Sequence, residues 1–491
     1  MTPARLAWPG ALRINAWNGG PVTGELGQQV RDGDWALALA QSIPAVPVLA
    51  APELSNLRDW RDKDVGWGVI LPESDRPAAE KAVAADALEP VRRLVEARAG
   101  VHGPVVFRHR DGDFSSVYRY LRDGRVLPVA VSGSDPGTGS GRLPHYLLIV
   151  GSPAVIPWDL QFQLNVGRAV GRLDLPEEAL ARYIDALLTD WHDSAVQATD
   201  PVVWTTEHSV DDITWLMRHA IAEPVSKLLR EDRQIGDRVR HLAGEQATAA
   251  RLRDALAETP PGYVLTTSHG MTGPVSDPDA MRRDLGLLVD AAHNLVRPED
   301  LLAAWQPDGV VWYAHACCSA GSNATTRFRG LVEPRSAVEQ VLEAIAGLGP
   351  IASPFPTALL SAAKPARVFI GHVEPTFDWT IQRPETDQPL TGALREALYT
   401  RLHLALPDPV GLAFQRYLTE TGSFFAEAAR AVRDIGHFEE AAPERATIAL
   451  LTAYDRQSTV ILGDPTVCPT ALPPLLIRRA TDSSSGSLAC V

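Results

Sequence analysis

Two apolar runs, each stopped by a chemically active residue, constrain this 491-residue chain more than any other feature. Val310-Val311-Trp312-Tyr313-Ala314 has the continuous apolarity of a strand buried on both faces, and it runs into His315-Ala316-Cys317-Cys318-Ser319-Ala320-Gly321. Upstream, Tyr263-Val264-Leu265-Thr266-Thr267-Ser268 runs into His269-Gly270. The 40 residues between them, 271 to 310, are enough for the right-handed crossover that parallel pairing requires. Parallel neighbours lie about 4.8 Å apart, and open α/β sheets collect their active sites at the carboxyl ends of the strands. An imidazole and a thiol are therefore expected at one sheet edge, within or near hydrogen-bond reach.

The rest of the chain supports α/β layering. Strands are expected at 65–72, 105–107, 146–150, 169–173, 202–205, 366–371 and 460–462, with a weaker one at 238–242. Between them, apolar residues recur at helical spacing: Leu88, Val91, Leu94 and Val95, then Leu180, Tyr183, Ile184, Leu187 and Leu188. A further helix is expected to begin near Asp211-Asp212, and others around 391–405, 411–434 and Ile448 to Tyr454. The Gly/Ser-rich stretch 132–141 reads as a flexible loop, and Pro-rich 43–48 as extended packing. The polar stretch 271–296, with a small Leu287-Leu288-Val289 strand, is placed to line a cleft.

Composition excludes several classes. A net charge of −14 argues against a nucleic-acid surface, and no run of about 18 apolar residues is present to span a membrane. The first residues lack the apolar core of a secretory signal. Four cysteines, two of them adjacent, are not a disulfide framework, so reduced thiols in a cytoplasm are expected. No C-x-x-C or H-x-x-x-H spacing supports a structural zinc, and neither a metal nor a cofactor is implied.

A thiol beside an imidazole is the pairing needed for covalent acyl transfer. The imidazole takes the thiol proton and later protonates the departing amine. Gly270, without a side chain, lets a carbonyl oxygen approach its N–H. That N–H and the N–H of the nucleophile form an expected oxyanion hole.

These two motifs resemble the caspase-like clan of cysteine peptidases, in which one central strand ends in His-Gly and the next in the catalytic cysteine. His269 precedes Cys318 by 49 positions, close to the roughly 50-residue offset of caspases. Ala316-Cys317-Cys318-Ser319-Ala320-Gly321 is similar to the metacaspase pattern Asp-Cys-Cys-His-Ser-Gly, whose second cysteine attacks. The resemblance thus implies Cys318 as nucleophile, His269 as base, and the N–H groups of Gly270 and Cys318 as oxyanion donors; Cys317 is left as structural, and His315 as packed below the site.

The layout from about 145 to 466 is similar to gingipain and CHAT proteases: Leu147 to Ser152, Ile156-Pro157, Gly171-Arg172-Leu173 and Ile461 to Pro465 all have counterparts there. The implied fold is a caspase-like three-layer α/β/α sandwich with a mostly parallel sheet, built as two α/β halves. Residues 1–130 are then an N-terminal α/β region of unknown role, 131–200 the start of a gingipain-like non-catalytic half, 201–470 the catalytic domain, and 471–491 a disordered tail.

The implied function is an intracellular cysteine endopeptidase acting on a protein or peptide substrate, in bacterial immunity or regulated cell death. It would be held inactive until ordered by a partner protein, a regulatory ligand such as Ca²⁺, or self-cleavage. A catalytically idle scaffold of the same fold is the alternative. One position departs from the pattern: Ala316 stands where metacaspases carry an acid for a basic side chain. Glu374 and Asp378, with Trp379 as a wall, are the candidates for binding a basic substrate residue; Arg327 and Arg329 would instead favour an acidic one. His208, His293 and His372 read as loop or surface residues.

Overall fold

In a computed structural model, the residues described are 11–19, 30, 34–40, 55–100, 103–403, 406–435, 439 and 441–473. The Pro-rich 43–48 stretch and most of the expected tail lie outside them. Among the described residues one twelve-stranded sheet runs through the molecule. Its strands in chain order are β1 (Trp67–Pro72), β2 (Val106–His109), β3 (Ser116–Tyr120), β4 (Val126–Ala130), β5 (Tyr146–Val150) and β6 (Ala169–Leu173). They continue with β7 (Val202–Thr205), β8 (Arg240–Ala243), β9 (Tyr263–Thr267), β10 (Val311–His315), β11 (Val368–His372) and β12 (Thr459–Gly463). The spatial order is β4-β3-β2-β1-β5-β6-β12-β11-β10-β9-β7-β8.

All neighbours are parallel except β2–β3, β3–β4 and β11–β12. From β7 the chain steps outward to β8, then back across β7 to β9, β10 and β11. Right-handed crossovers in opposite directions leave their helices on opposite faces of the sheet. Helix 213–231 covers one face, while helices 249–258, 298–302 and 354–361 cover the other. The long helices Val410–Ile435 and Ala442–Ser458 pack together and against helix Trp158–Asn165. Both faces being covered, strand residues such as Trp204, Val264, Leu265, Trp312 and Tyr313 are fully buried, which is why the strands read as unbroken apolar runs.

The hairpin β3–β4 was not expected from sequence. Its outer strand shows one face to solvent, and the turn at Gly124 (φ +88°) supplies the left-handed residue. The 132–141 stretch is pinned rather than free: Thr138 N–H donates to the Lys63 carbonyl at 2.8 Å, and Gly137 N–H to that of Leu143 at 3.2 Å. The two expected halves are joined in one sheet, because the last strand, β12, pairs with β11 on one side and β6 on the other. His372, expected near the surface, is the last residue of β11 and fully buried. No helix among the described residues is long and apolar enough to cross a membrane.

Candidate active site

β9 and β10 pair in parallel, with Thr267 opposite His315. Just beyond these ends, Gly270 lies against the Cys317 backbone. The chain is tight here: a Cβ on Gly270 would lie 1.9 Å from the Cys317 carbonyl oxygen, and one on Gly286 would lie 2.1 Å from that of Cys318. Only glycine permits either approach.

His269 is fully buried, and its Nε2 meets Asp212 Oδ2 at 2.9 Å. Asp212 is the N-cap of helix Ile213–Met217, and its other oxygen accepts from Thr214 N–H at 2.7 Å. One carboxylate thus closes a helix end and orients an imidazole. Burial pushes this carboxyl up, but the His269 ring and the Thr214 hydrogen bonds outweigh it and hold it well below the usual range. The Nδ1 of His269 has no partner among the described residues. With Nε2 committed to Asp212, Nδ1 is the atom able to take a proton. His208 and Trp17 stack on the ring, 5.4 Å and 6.0 Å from it centroid to centroid, and His293 stacks in turn on both of them.

Past β10 the chain turns sharply, Ser319 N–H donating to the Ala316 carbonyl at 3.2 Å. Cys318 occupies the left-handed region of this turn (φ +54°), a strained position for a residue with a Cβ. Its surroundings hold it there. Its N–H donates to the Glu374 carbonyl at 3.3 Å, and its carbonyl accepts from Ser353 Oγ at 2.5 Å and Gly321 N–H at 3.1 Å. Ser319 Oγ accepts from His372 N–H at 3.0 Å and donates to the Ala314 carbonyl at 3.3 Å.

The two thiols differ in surroundings. Cys317 Sγ accepts from Thr376 N–H at 3.3 Å, and the Cys317 N–H has no acceptor among the described residues. Cys318 lies in the field of Glu374. Both are fully buried, and burial pushes both well above the ordinary thiol range, so both are protonated here. Neither is within hydrogen-bond distance of His269.

The other expected residues are also near. Glu374 is buried, and its Oε2 is paired with Arg327 (Nη2 2.5 Å, Nε 3.0 Å), so its charge is already matched by that guanidinium. Arg329 pairs with Glu343 at the surface. Asp378 is buried and accepts from the Arg13 backbone N–H at 3.1 Å and from Arg13 Nε at 3.0 Å. Trp379 is buried beside it. Sequence reasoning missed Asp212 and the segment carrying Arg13 and Trp17. For Asp212 a signal existed: Asp-Ile-Thr at an expected helix start is an N-cap pattern.

Among the described residues no group of three or more His, Cys, Asp or Glu side chains is arranged to hold a metal ion. No family model matches this chain, and no curated protein is detectably similar to it in sequence.

Proposed function

We propose that this chain is a cysteine endopeptidase of the caspase-like kind, working through an acyl-enzyme on a cysteine at the end of β10 with His269 as base. The observation that carries this reading is the meeting of His269-Gly270 and Cys317-Cys318 at the carboxyl edge of two paired parallel strands, with the imidazole oriented by Asp212. The thiol gives its proton to His269 Nδ1, and sulfur bonds to the substrate carbonyl carbon. The peptide C–N bond then breaks as His269 protonates the amine. Water, deprotonated by the same imidazole, releases the acid and restores the thiol.

The resemblance to metacaspases favours Cys318 as nucleophile. The backbone favours Cys317: Gly270 packs on its carbonyl, and its N–H has no acceptor among the described residues, whereas that of Cys318 is committed to the Glu374 carbonyl. With Cys317 attacking, the oxyanion donors are the N–H groups of Gly270 and Cys317. A thiol-directed peptidyl ketone with mass analysis of the native chain, Cys317→Ala and Cys318→Ala tests this. Labelling lost only in Cys317→Ala is the expected result; loss only in Cys318→Ala returns the role to Cys318.

The full burial of both thiols favours a second reading, an idle scaffold acting by binding, which predicts no labelling of any form. Intracellular cleavage of partner proteins in bacterial immunity or regulated death is the role the resemblance suggests for an active enzyme.

A further inference from the structure

Residues 13–17 cross the carboxyl edge of the sheet as an extended strand between two parts of the candidate site. On one side the pairing is antiparallel, Ile14 with Phe377. Asn15 N–H donates to the Thr376 carbonyl at 2.9 Å, and Asp378 N–H donates to the Arg13 carbonyl at 3.2 Å. On the other side Ala16 and Trp17 pair in parallel with Gly270 and Met271, and Thr272 N–H donates to the Trp17 carbonyl at 2.8 Å. Donors and acceptors alternate along a parallel ladder. The Thr272 bond therefore sets Trp17 N–H on the Gly270 carbonyl and Gly270 N–H on the Asn15 carbonyl. Gly270 is the oxyanion donor of the proposed reaction.

We propose that Arg13–Trp17 occupies the substrate groove as this chain's own substrate strand, with Asn15 in the specificity pocket and the Asn15–Ala16 peptide bond as the one cut. This rests on the peptidase reading above. A peptide added to an open edge gains affinity from main-chain bonds and selectivity from alternate side chains, and both are present. The Arg13 guanidinium meets Asp378 at 3.0 Å, so the acid suggested for a basic residue at the cut instead holds an arginine two residues before it. Ile14 and Ala16 belong to the apolar cluster that contains Cys317, Cys318 and Phe377. Asn15 is fully buried, and neither atom of its amide has a partner among the described residues. Trp17 lies over the imidazoles of His293 and His269, on the leaving-group side of the bond.

The step balances without any reagent but water. The thiol sulfur bonds to the Asn15 carbonyl carbon and its proton passes to His269. The bond to Ala16 nitrogen breaks, and that proton leaves with the new amine. Water then hydrolyses the thioester, leaving Asn15 as a carboxylate and the cysteine as a thiol. Until then the strand closes the groove to other peptides, and its departure uncovers the thiols.

The test uses the full chain and two readouts. Incubated native protein is followed by intact mass and amino-terminal sequencing. Separately, thiol labelling by acyloxymethyl ketones ending in Arg-Ile-Asn and Arg-Ile-Lys is timed on native protein and on Arg13→Glu and Trp17→Ala, each confirmed folded by circular dichroism. The expected result is a new terminus at Ala16, formed at a rate independent of protein concentration and lost in His269→Ala. Both groove variants should label about tenfold faster than native, and the Asn probe about tenfold faster than the Lys probe. Equal labelling of native and variants, with no terminus at Ala16, overturns the proposal and leaves the peptidase reading standing. Preference for the Lys probe overturns the assignment of Asn15 to the pocket. No labelling of any form overturns both.

Discussion

Asp212 has two duties on one carboxylate, and its replacement by asparagine separates them. Asparagine still caps the helix, so the fold should persist, but it cannot stabilise a charged His269. Hydrolysis by Asp212→Asn should fall by about 10²- to 10⁴-fold. A hydrolysis rate equal to that of the native chain would make Asp212 merely structural. Asp455 makes a different prediction. Burial pushes its carboxyl up to about 7, against hydrogen bonding from Thr380 and the nearby Arg456. A raised folded-state value means the folded form holds the proton more tightly. That contribution is complete below the ordinary carboxyl value and is lost as pH rises to about 7. Urea unfolding of Asp455→Asn, compared with native from pH 4 to 8, should show the variant gaining relative stability on the order of 1 kcal/mol or more across that window. At this scale the reactive types were legible, because His-Gly and Cys-Cys interrupt apolar runs. Their orientation was not, since Asp212 reaches His269 across 57 positions of sequence.

At the scale of elements, the site depends on how closely β9 and β10 approach beyond their ends. Gly270→Ala places a methyl against the Cys317 carbonyl, a backbone atom that cannot swing aside. The variant should lose about 1–3 kcal/mol of stability by overpacking and about 10²-fold or more in activity as the oxyanion donor shifts. Unfolding curves and peptide hydrolysis together check this; an unchanged rate would remove Gly270 from the oxyanion hole. The sequence announced β9, β10 and the intervening crossover through apolar runs and length. It did not announce β3 and β4, whose mixed polarity suits a half-exposed edge, nor the pairing of Ala16–Trp17 with Gly270–Met271. That pairing joins two segments far apart in the chain, and neither carries a local pattern for it.

For the whole molecule, β12 decides the architecture. Asp464, just after it, accepts from Trp67 Nε1 at 3.1 Å and pairs with Arg98 at 2.9 Å, with almost no exposure of either charge. Trp158 Nε1, on helix Trp158–Asn165, donates to the Ser322 carbonyl at 2.9 Å, a further tie from the amino-terminal half to the segment just after the cysteines. Asp464→Ala strands a buried guanidinium and should cost on the order of 3 kcal/mol. Native unfolding followed by tryptophan fluorescence and far-ultraviolet circular dichroism should give coincident transitions, as expected of one cooperative unit. Separate midpoints would mean two independent halves. Local chemistry alone established the α/β class and most strands, because hydrophobic period and turn residues act over a few positions, and it marked His269 and the two adjacent cysteines as candidates. Which carboxylate meets the His269 ring, and which distant segment pairs with Gly270–Met271, were decided by three-dimensional packing. Strand register, helix capping and edge pairing join residues that the chain keeps tens to hundreds of positions apart.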